Sequence, residues 1–388
     1  MRTQSRLFRL ALLVPVSLLL GMGAEAGAQE AHDHMNMAMP AQAAPASAAH
    51  ASRWSDPASW PGGKVPGEGD AVTIGRDKDI VLDISPPTLR SLTINGKLSF
   101  SDQRDLELKT DWVYLPGGEL DIGSEAHPHL HKATITLTDN VPGEDINTMG
   151  DRGIMLLRGT LSLHGDRQNA WTKLAATAKA GADRIEVLNA SGWRKGDVIA
   201  LASTDFDPTQ AEERTIAAVT GATITLDHPL KYMHFGRITD GVDERGEVGL
   251  LTRNILIHAS KDAETSYFGG HIMAMAGSKM YVSGVELARM GQNMHLARYP
   301  IHWHILGDAD GQYIENSSIH DTYSRCVTIH GTNDVLIKNN VTYNTVGHCF
   351  FMEDAVEHGN QFIHNLGILT KDSRQNNIYK LLSGMRNC

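Results

Sequence analysis

Short runs in which apolar and polar residues alternate fill most of this 388-residue chain, and in one stretch the runs repeat. Between Arg298 and Lys371 a period of 23 residues matches Ile314 with Ile337, Asn316 with Asn339, Asp321 with Asn344, Cys326 with Cys349 and His330 with Glu353. After a two-residue insertion the pattern recurs, Ile337 to Phe362 and Asn340 to Asn365. Short apolar strands, Asn-rich corners and a period in the low twenties predict a solenoid whose coils are rungs of parallel strand. Apolar side chains then enter a continuous core, and the residues between them line the outside. Asparagine suits the corners because its side chain bonds local backbone and tolerates left-handed geometry. The expected fold is all-β, with a right-handed parallel β-helix over residues 166–371.

Alternation also runs through residues 53–165, which are rich in glycine and open on the Trp-bracketed segment WSDPASWPGG. Leu92, Ile94, Leu98 and Phe100 alternate on either side of Asn95-Gly96, which reads as a turn between strands. This region is expected to be a β domain stacked against the solenoid. Gly192-Trp193 and Lys195-Gly196-Asp197 mark the turn before the strand DVIAL, and LAATAKA, residues 174–180, is the best short helix.

The two ends break the pattern. Residues 1–28 carry Arg2, Arg6 and Arg9, then LALLVPVSLLL, then Ala26-Gly27-Ala28, the layout of a secretory signal cleaved after Ala28. That apolar run is shorter than a bilayer span, so the mature chain is expected to be secreted or periplasmic with no membrane span. Residues 29–52 are Ala- and Pro-rich; His32, His34, Met35, Met37 and Met39 make them either a plain disordered linker or a source of copper ligands. Residues 372–388 lack the coil pattern and are expected to be an atypical tail left by truncation or a frameshift.

The net charge is −10; losing the signal removes three Arg and one Glu, which leaves −12. An acidic chain argues against nucleic acid as a partner and against general attraction to anionic polymers, though not against a local basic groove. Of three cysteines, Cys326 and Cys349 fall one coil apart. In-register side chains point the same way, so a stacked pair of buried thiols is expected rather than a disulfide, with Cys388 left over.

Register also selects candidate chemistry. In VTIH, Val327 and Ile329 point in, so Thr328 and His330 point out; one coil on, Phe351 and Glu353 point out; one coil earlier, His302 and His304 share a face. With strands about 4.8 Å apart, His304, His330 and Glu353 form an exterior column, with Arg298, Arg325 and His348 at neighbouring rungs. Such a column serves either packing or a site. His302, His304 and His330 are a candidate set for a divalent metal such as zinc; His127, His129 and His131 alternate and are either a second such set or a surface strand that happens to be His-rich. Asp240, Asp243, Glu244 and Glu247 either hold calcium through oxygen ligands or line a solvated loop.

The segments DGVDERGEVGLLTRNI, GGHIM, RYPIHWH, SIHDTYSRCVTIHG and GHCFFMED resemble the family of cell-migration-inducing and transmembrane hyaluronidases, and its bacterial eight-glycine (G-eight) domain members in particular. The resemblance runs from Trp54 to Lys371. It implies an eight-glycine domain followed by a parallel β-helix, display outside the cell, and hyaluronan binding or depolymerisation. Two departures stand out: a further domain that the vertebrate hyaluronidases interpose after the LSLHG-type segment is expected to be absent, and the coils stop at LTK. The expected partner is an acidic polysaccharide. Hydrolysis needs two carboxylates, which Glu353 and Asp354 supply, with Glu357 and Asp321 near them. Elimination needs a cation and a base, which Arg298 or Arg325 and His304 or His330 supply. His302, His348, Glu357 and Asp321 are candidates for binding substrate. A glycan-binding or adhesion module without catalysis, and a purely structural envelope protein, are the competing readings.

Overall fold

From Leu106 onward each turn of the chain contributes one strand to each of three parallel sheets. A computed structural model describes residues 51–371. The expected signal, the candidate copper ligands, the tail and Cys388 lie outside the described residues. Alternation explains the coils: in Lys97–Phe100 the buried Leu98 and Phe100 enter the core while Lys97 and Ser99 face out. Strands Leu106–Thr110, Val113–Leu115 and Glu119–Ile122 repeat this on three successive sides of one coil.

Among the described residues the three sheets hold nine, eight and seven strands, each stacked in chain order. The first runs from Ser52–Arg53 to Gln361–Ile363, the second from Ala71–Ile74 to Phe350–Met352, and the third from Leu106–Thr110 to Leu366–Lys371. Their inward residues form one core that extends from Trp54 to Ile337. The described residues therefore form a parallel β-helix, all-β save for one helical turn at Ala263–Ser266 and short 3-10 turns. LAATAKA is not that helix: Leu174 and Ala178 make antiparallel bridges to Val187 and His234. No helix among the described residues is long and apolar enough to cross a membrane.

The parallel sheets pass without a break through residue 165, because Thr160–His164 pairs with Glu119–Ile122 on one side and Lys279–Ser283 on the other. The coils thus begin near residue 52, and Asn95-Gly96 is a coil corner instead of a hairpin turn. Ser91–Ile94 and Lys97–Phe100 belong to different sheets and pair with other coils. A side chain at Gly96 would overlap the carbonyl oxygens of Gly75 and Lys78, and one at Gly118 would overlap those of Ile94 and Gly96. Glycine stands at this corner because the coils meet there backbone to backbone.

The long detour between Thr160–His164 and Ile255–Ala259 is not coil. Residues 171–250 form a six-stranded antiparallel sheet with its own core of Ile185, Trp193, Ile199, Ile216, Ile224 and Val248. Period-2 alternation is the same in parallel and antiparallel strands, so these runs read as coils in the sequence. This unit covers the outside of the third sheet. Ala200 and Leu251 pack with Val341, Tyr343, Leu366 and Ile368, and Trp171 stacks on His364 at 4.2 Å.

Side-chain amides tie the coils along the corners. Asn340 Nδ2 donates to Ile314 O (3.0 Å), Asn365 Nδ2 donates to Ile337 O (2.9 Å), and Asn340 N donates to Asn365 Oδ1 (3.0 Å). The structure joins Cys326 and Cys349 in a disulfide, correcting the expected pair of free thiols. Their Cα atoms are 4.3 Å apart because neighbouring rungs hold equivalent positions side by side.

The corner makes a prediction. Gly96→Ala is expected to lower unfolding stability by about 1–3 kcal/mol, the usual cost of overpacking, read as a lower urea midpoint. An unchanged midpoint would contradict the close backbone approach.

Candidate functional site

The outward row of the second sheet changes character along the solenoid. Tyr114, Met155, Met273, His302, Thr328 and Phe351 are in register from coil to coil. The early members are apolar: Met155 and Met273 pack with Met149 under Ile146 and Ala297. Beyond them the row turns polar. His302 and Thr328 leave the coil interior as their alternation requires, yet both are fully buried. Cover comes from the segment before the strand: the Tyr299 ring lies 4.9 Å from that of His302, whose Nδ1 donates to Ala297 O (3.2 Å).

In the adjacent row His304 pairs with His330, and Glu353 follows Met352, the partner of Ile329. The column His304–His330–Glu353 is thus brought together. His304 Nδ1 lies 3.4 Å from His302 Nε2 and 3.1 Å from His330 Nδ1. His330 Nε2 lies 2.9 Å from Asp354 Oδ2, and its Nδ1 is 3.9 Å from Glu353 Oε2. Burial and the neighbouring His304 hold His302 well below the usual imidazole range. Burial, reinforced by His330 and Arg298, lowers His304 to about 4. Both rings are therefore neutral bases at neutral pH.

Arg325 Nη1 donates to Tyr299 Oη (2.8 Å) and to Glu353 Oε1 (3.2 Å), and its guanidinium lies 4.0 Å from the Phe351 ring centre. Tyr299 Oη also donates to Glu353 Oε1 (3.4 Å), and burial pushes this phenol up to about 12. Glu353 Oε2 is buried and has no hydrogen-bond partner. His348 stacks on Phe351 with ring centres 5.2 Å apart.

Other expected residues fall elsewhere. Arg298 turns aside to donate to Thr148 O (3.1 Å) and lines a neighbouring cleft with Asp145, Asp151 and His295. The residue in line with Arg325 is Tyr299, since Ile301 pairs with Val327. That one-residue offset was available from the register, and Tyr299 is the participant the sequence did not flag; Phe351, expected on the outer face, is there and carries Arg325 and His348. Glu357 is turned inward, accepting from Gly331 N (3.0 Å) and Asp354 N (3.1 Å), so it holds the loop instead of facing outward. Asp321 is on the third sheet, bonded to His320 and Asn344.

Among the described residues, His302, His304 and His330 are the one group of three or more potential ligands with donor atoms close enough to share an ion, all within 4.8 Å. The other two candidate sets do not assemble. His129 is buried and His131 bonds Asp102 at 3.0 Å. Asp243 is engaged by Arg245 and Lys173, and Glu247 by Lys173.

Two family profiles match the chain. The family profile described as the G8 domain matches residues 59–175, and that described as the CEMIP β-helix matches 267–385. Human fibrocystin-L is 38% identical over 371 residues, covering 82% of this chain and 9% of its own. The mouse cell migration-inducing and hyaluronan-binding protein is 44% identical over 207 residues, covering 47% of this chain and 15% of its own. Human cell surface hyaluronidase CEMIP2 is 42% identical over 203 residues, with the same two coverages. This chain therefore spans a small part of each relative. Among solved structures, the tailspike gp61 of Pseudomonas phage phi297 is 13% identical and covers 69% of this chain and 44% of its own, with a TM-score of 0.22, too loose to carry an argument.

His320 gives a pH prediction. It is buried between Glu286 Oε1 (3.2 Å) and Asp321 Oδ2 (2.8 Å). Burial opposes its charge, but the two carboxylates outweigh that and raise it to about 10. A raised imidazole stabilises the fold fully below its unfolded value of about 6.5 and loses that contribution as pH climbs through the folded value. The urea-midpoint gap between wild type and His320→Gln is expected to be widest near pH 6 and to close towards pH 10. A gap that is constant with pH would show that His320 is not charged in the fold.

Proposed function

The chain belongs to the family of G8-domain proteins with a CEMIP β-helix, and from that premise we propose that its open second-sheet face takes an acidic polysaccharide and depolymerises it. Hyaluronan or another uronic-acid glycan is the substrate class, by the names of the two relatives highest in identity among those described above. The observation that carries the reading is the setting of Glu353. One carboxylate oxygen is held by Arg325 and Tyr299, and the other is unpartnered beside His330, with the more exposed Asp354 next to it.

That setting supplies the parts that glycan cleavage needs. Arg325, about one-quarter exposed, offers a cation to the uronate. Glu353 and Asp354 offer the two carboxylates of a hydrolysis; the neutral His304 offers the base of an elimination. The chain acts outside the cell on this reading, secreted or periplasmic.

Binding without cutting is the second reading, favoured by the exposed His348 ring stacked on Phe351, a flat surface on which a sugar ring can rest.

Purified full-length chain is expected to shorten hyaluronan, and Glu353→Gln to slow the cutting by roughly 10²–10⁴-fold while leaving binding in place. Chain length is followed by size and new double bonds by ultraviolet absorbance. Absorbance marks elimination; shortening without it marks hydrolysis. Saturable binding with no shortening by the folded protein would replace the enzyme with the binding module.

A further inference from the structure

The three imidazoles of the column meet through one nitrogen each. Ala297 O can only accept, so the hydrogen of His302 is on Nδ1 and its Nε2 presents a lone pair to His304. The Asp354 carboxylate, with Oδ2 2.9 Å from His330 Nε2, favours the hydrogen of a neutral His330 on that nitrogen, which leaves His330 Nδ1 as a lone pair facing His304 from the other side. A single hydrogen on His304 Nδ1 bridges one of its two contacts, at 3.4 and 3.1 Å, and leaves the other as nitrogen against nitrogen. Beside them is Glu353 Oε2, buried, without a hydrogen-bond partner and 3.9 Å from His330 Nδ1. Opposed lone pairs and an unpartnered carboxylate oxygen are both relieved by a cation among them.

We propose that His302 Nε2, His304 Nδ1 and His330 Nδ1 bind one divalent metal ion of the zinc class, with Glu353 Oε2 or a water in the fourth place. Zinc–nitrogen bonds of about 2.0–2.1 Å in a tetrahedron set ligand nitrogens about 3.3–3.4 Å apart, close to the two contacts through His304; the set as a whole lies within 4.8 Å, so His302 and His330 close towards each other on binding. An all-imidazole set selects zinc, copper, iron or nickel over calcium and magnesium, which take oxygen. The outer partners fit as well: Ala297 O orients His302 and Asp354 orients His330, the carboxylate–histidine–metal pattern. This inference deepens the glycan reading by placing a Lewis acid beside Glu353 and Asp354, but its evidence is the nitrogen geometry, so its test reads metal and not turnover.

Full-length chain freed of metal by a chelator is titrated with Zn2+ by calorimetry and with Co2+ by visible absorption. Wild type is expected to take up one equivalent more than His304→Ala and to show the bands of tetrahedral Co2+ that the variant lacks. The comparison is made within one chain so that the N-terminal His32 and His34 contribute equally to both. Asp354→Asn is expected to weaken the extra site by about 10–100-fold. His330→Ala, at a partly exposed ring, is the second variant should His304→Ala fail to fold. Equal stoichiometry, affinity and spectra in wild type and in a folded variant would overturn the proposal. Metal uptake without glycan cleavage would keep it and sink depolymerisation; cleavage by metal-free chain would do the reverse for its catalytic part.

Discussion

Everything in this molecule depends on coil-to-coil register, the pairing that keeps each residue directly above its equivalent one turn earlier. Backbone hydrogen bonds between parallel strands set it, and side chains at the corners reinforce it. Asn340 and Asn365 each reach back to a carbonyl of the preceding coil, while Gly96 and Gly118 let backbones touch where any side chain would collide. A slip of one residue would turn the apolar rows outward. Register therefore does two things at once: it closes the core and it builds columns of like residues on the outside. The histidine column is a product of that second effect.

What makes one column a site is what covers the others. The antiparallel unit of residues 171–250 covers the end of the third sheet. Methionines and the segments around Ile146 and Ala297 cover the earlier coils of the second. The cover ends at Tyr299, where His302 is still sealed, His304 and His330 are partly open, and Asp354 is exposed. This gradient of burial turns a stack of equivalent positions into a polar centre, with dry imidazoles on one side and wet carboxylates on the other. Arg325 links the halves, stacked on Phe351 and bonded to both Tyr299 and Glu353.

Much of this was legible in the sequence because a solenoid writes its contacts as a period. The pairings Ile314 with Ile337 and Ile337 with Phe362 appear in the strands as the spacing implies, and so does the approach of His302, His304 and His330. The rest was hidden for physical reasons. Alternation does not distinguish antiparallel from parallel strands, so residues 171–250 read as coil. It tells which way a side chain leaves the sheet but not what lies over it, so the burial of His302 and Thr328 was invisible. Asp321 and Glu357 were close in sequence to the column, yet one is on another sheet and the other faces inward, since a coil turns a corner every few residues. Tyr299 was concealed only by a choice of neighbour, Arg298, that was one residue out of register.

Backbone hydrogen exchange in the presence of hyaluronan oligosaccharides tests most directly whether this face is where a glycan sits. The account predicts slowed exchange confined to residues 299–305, 325–332 and 348–357, with the antiparallel unit of residues 171–250 unaffected. Protection centred on that unit or on the first sheet, with these three segments unchanged, would place the ligand elsewhere and contradict it.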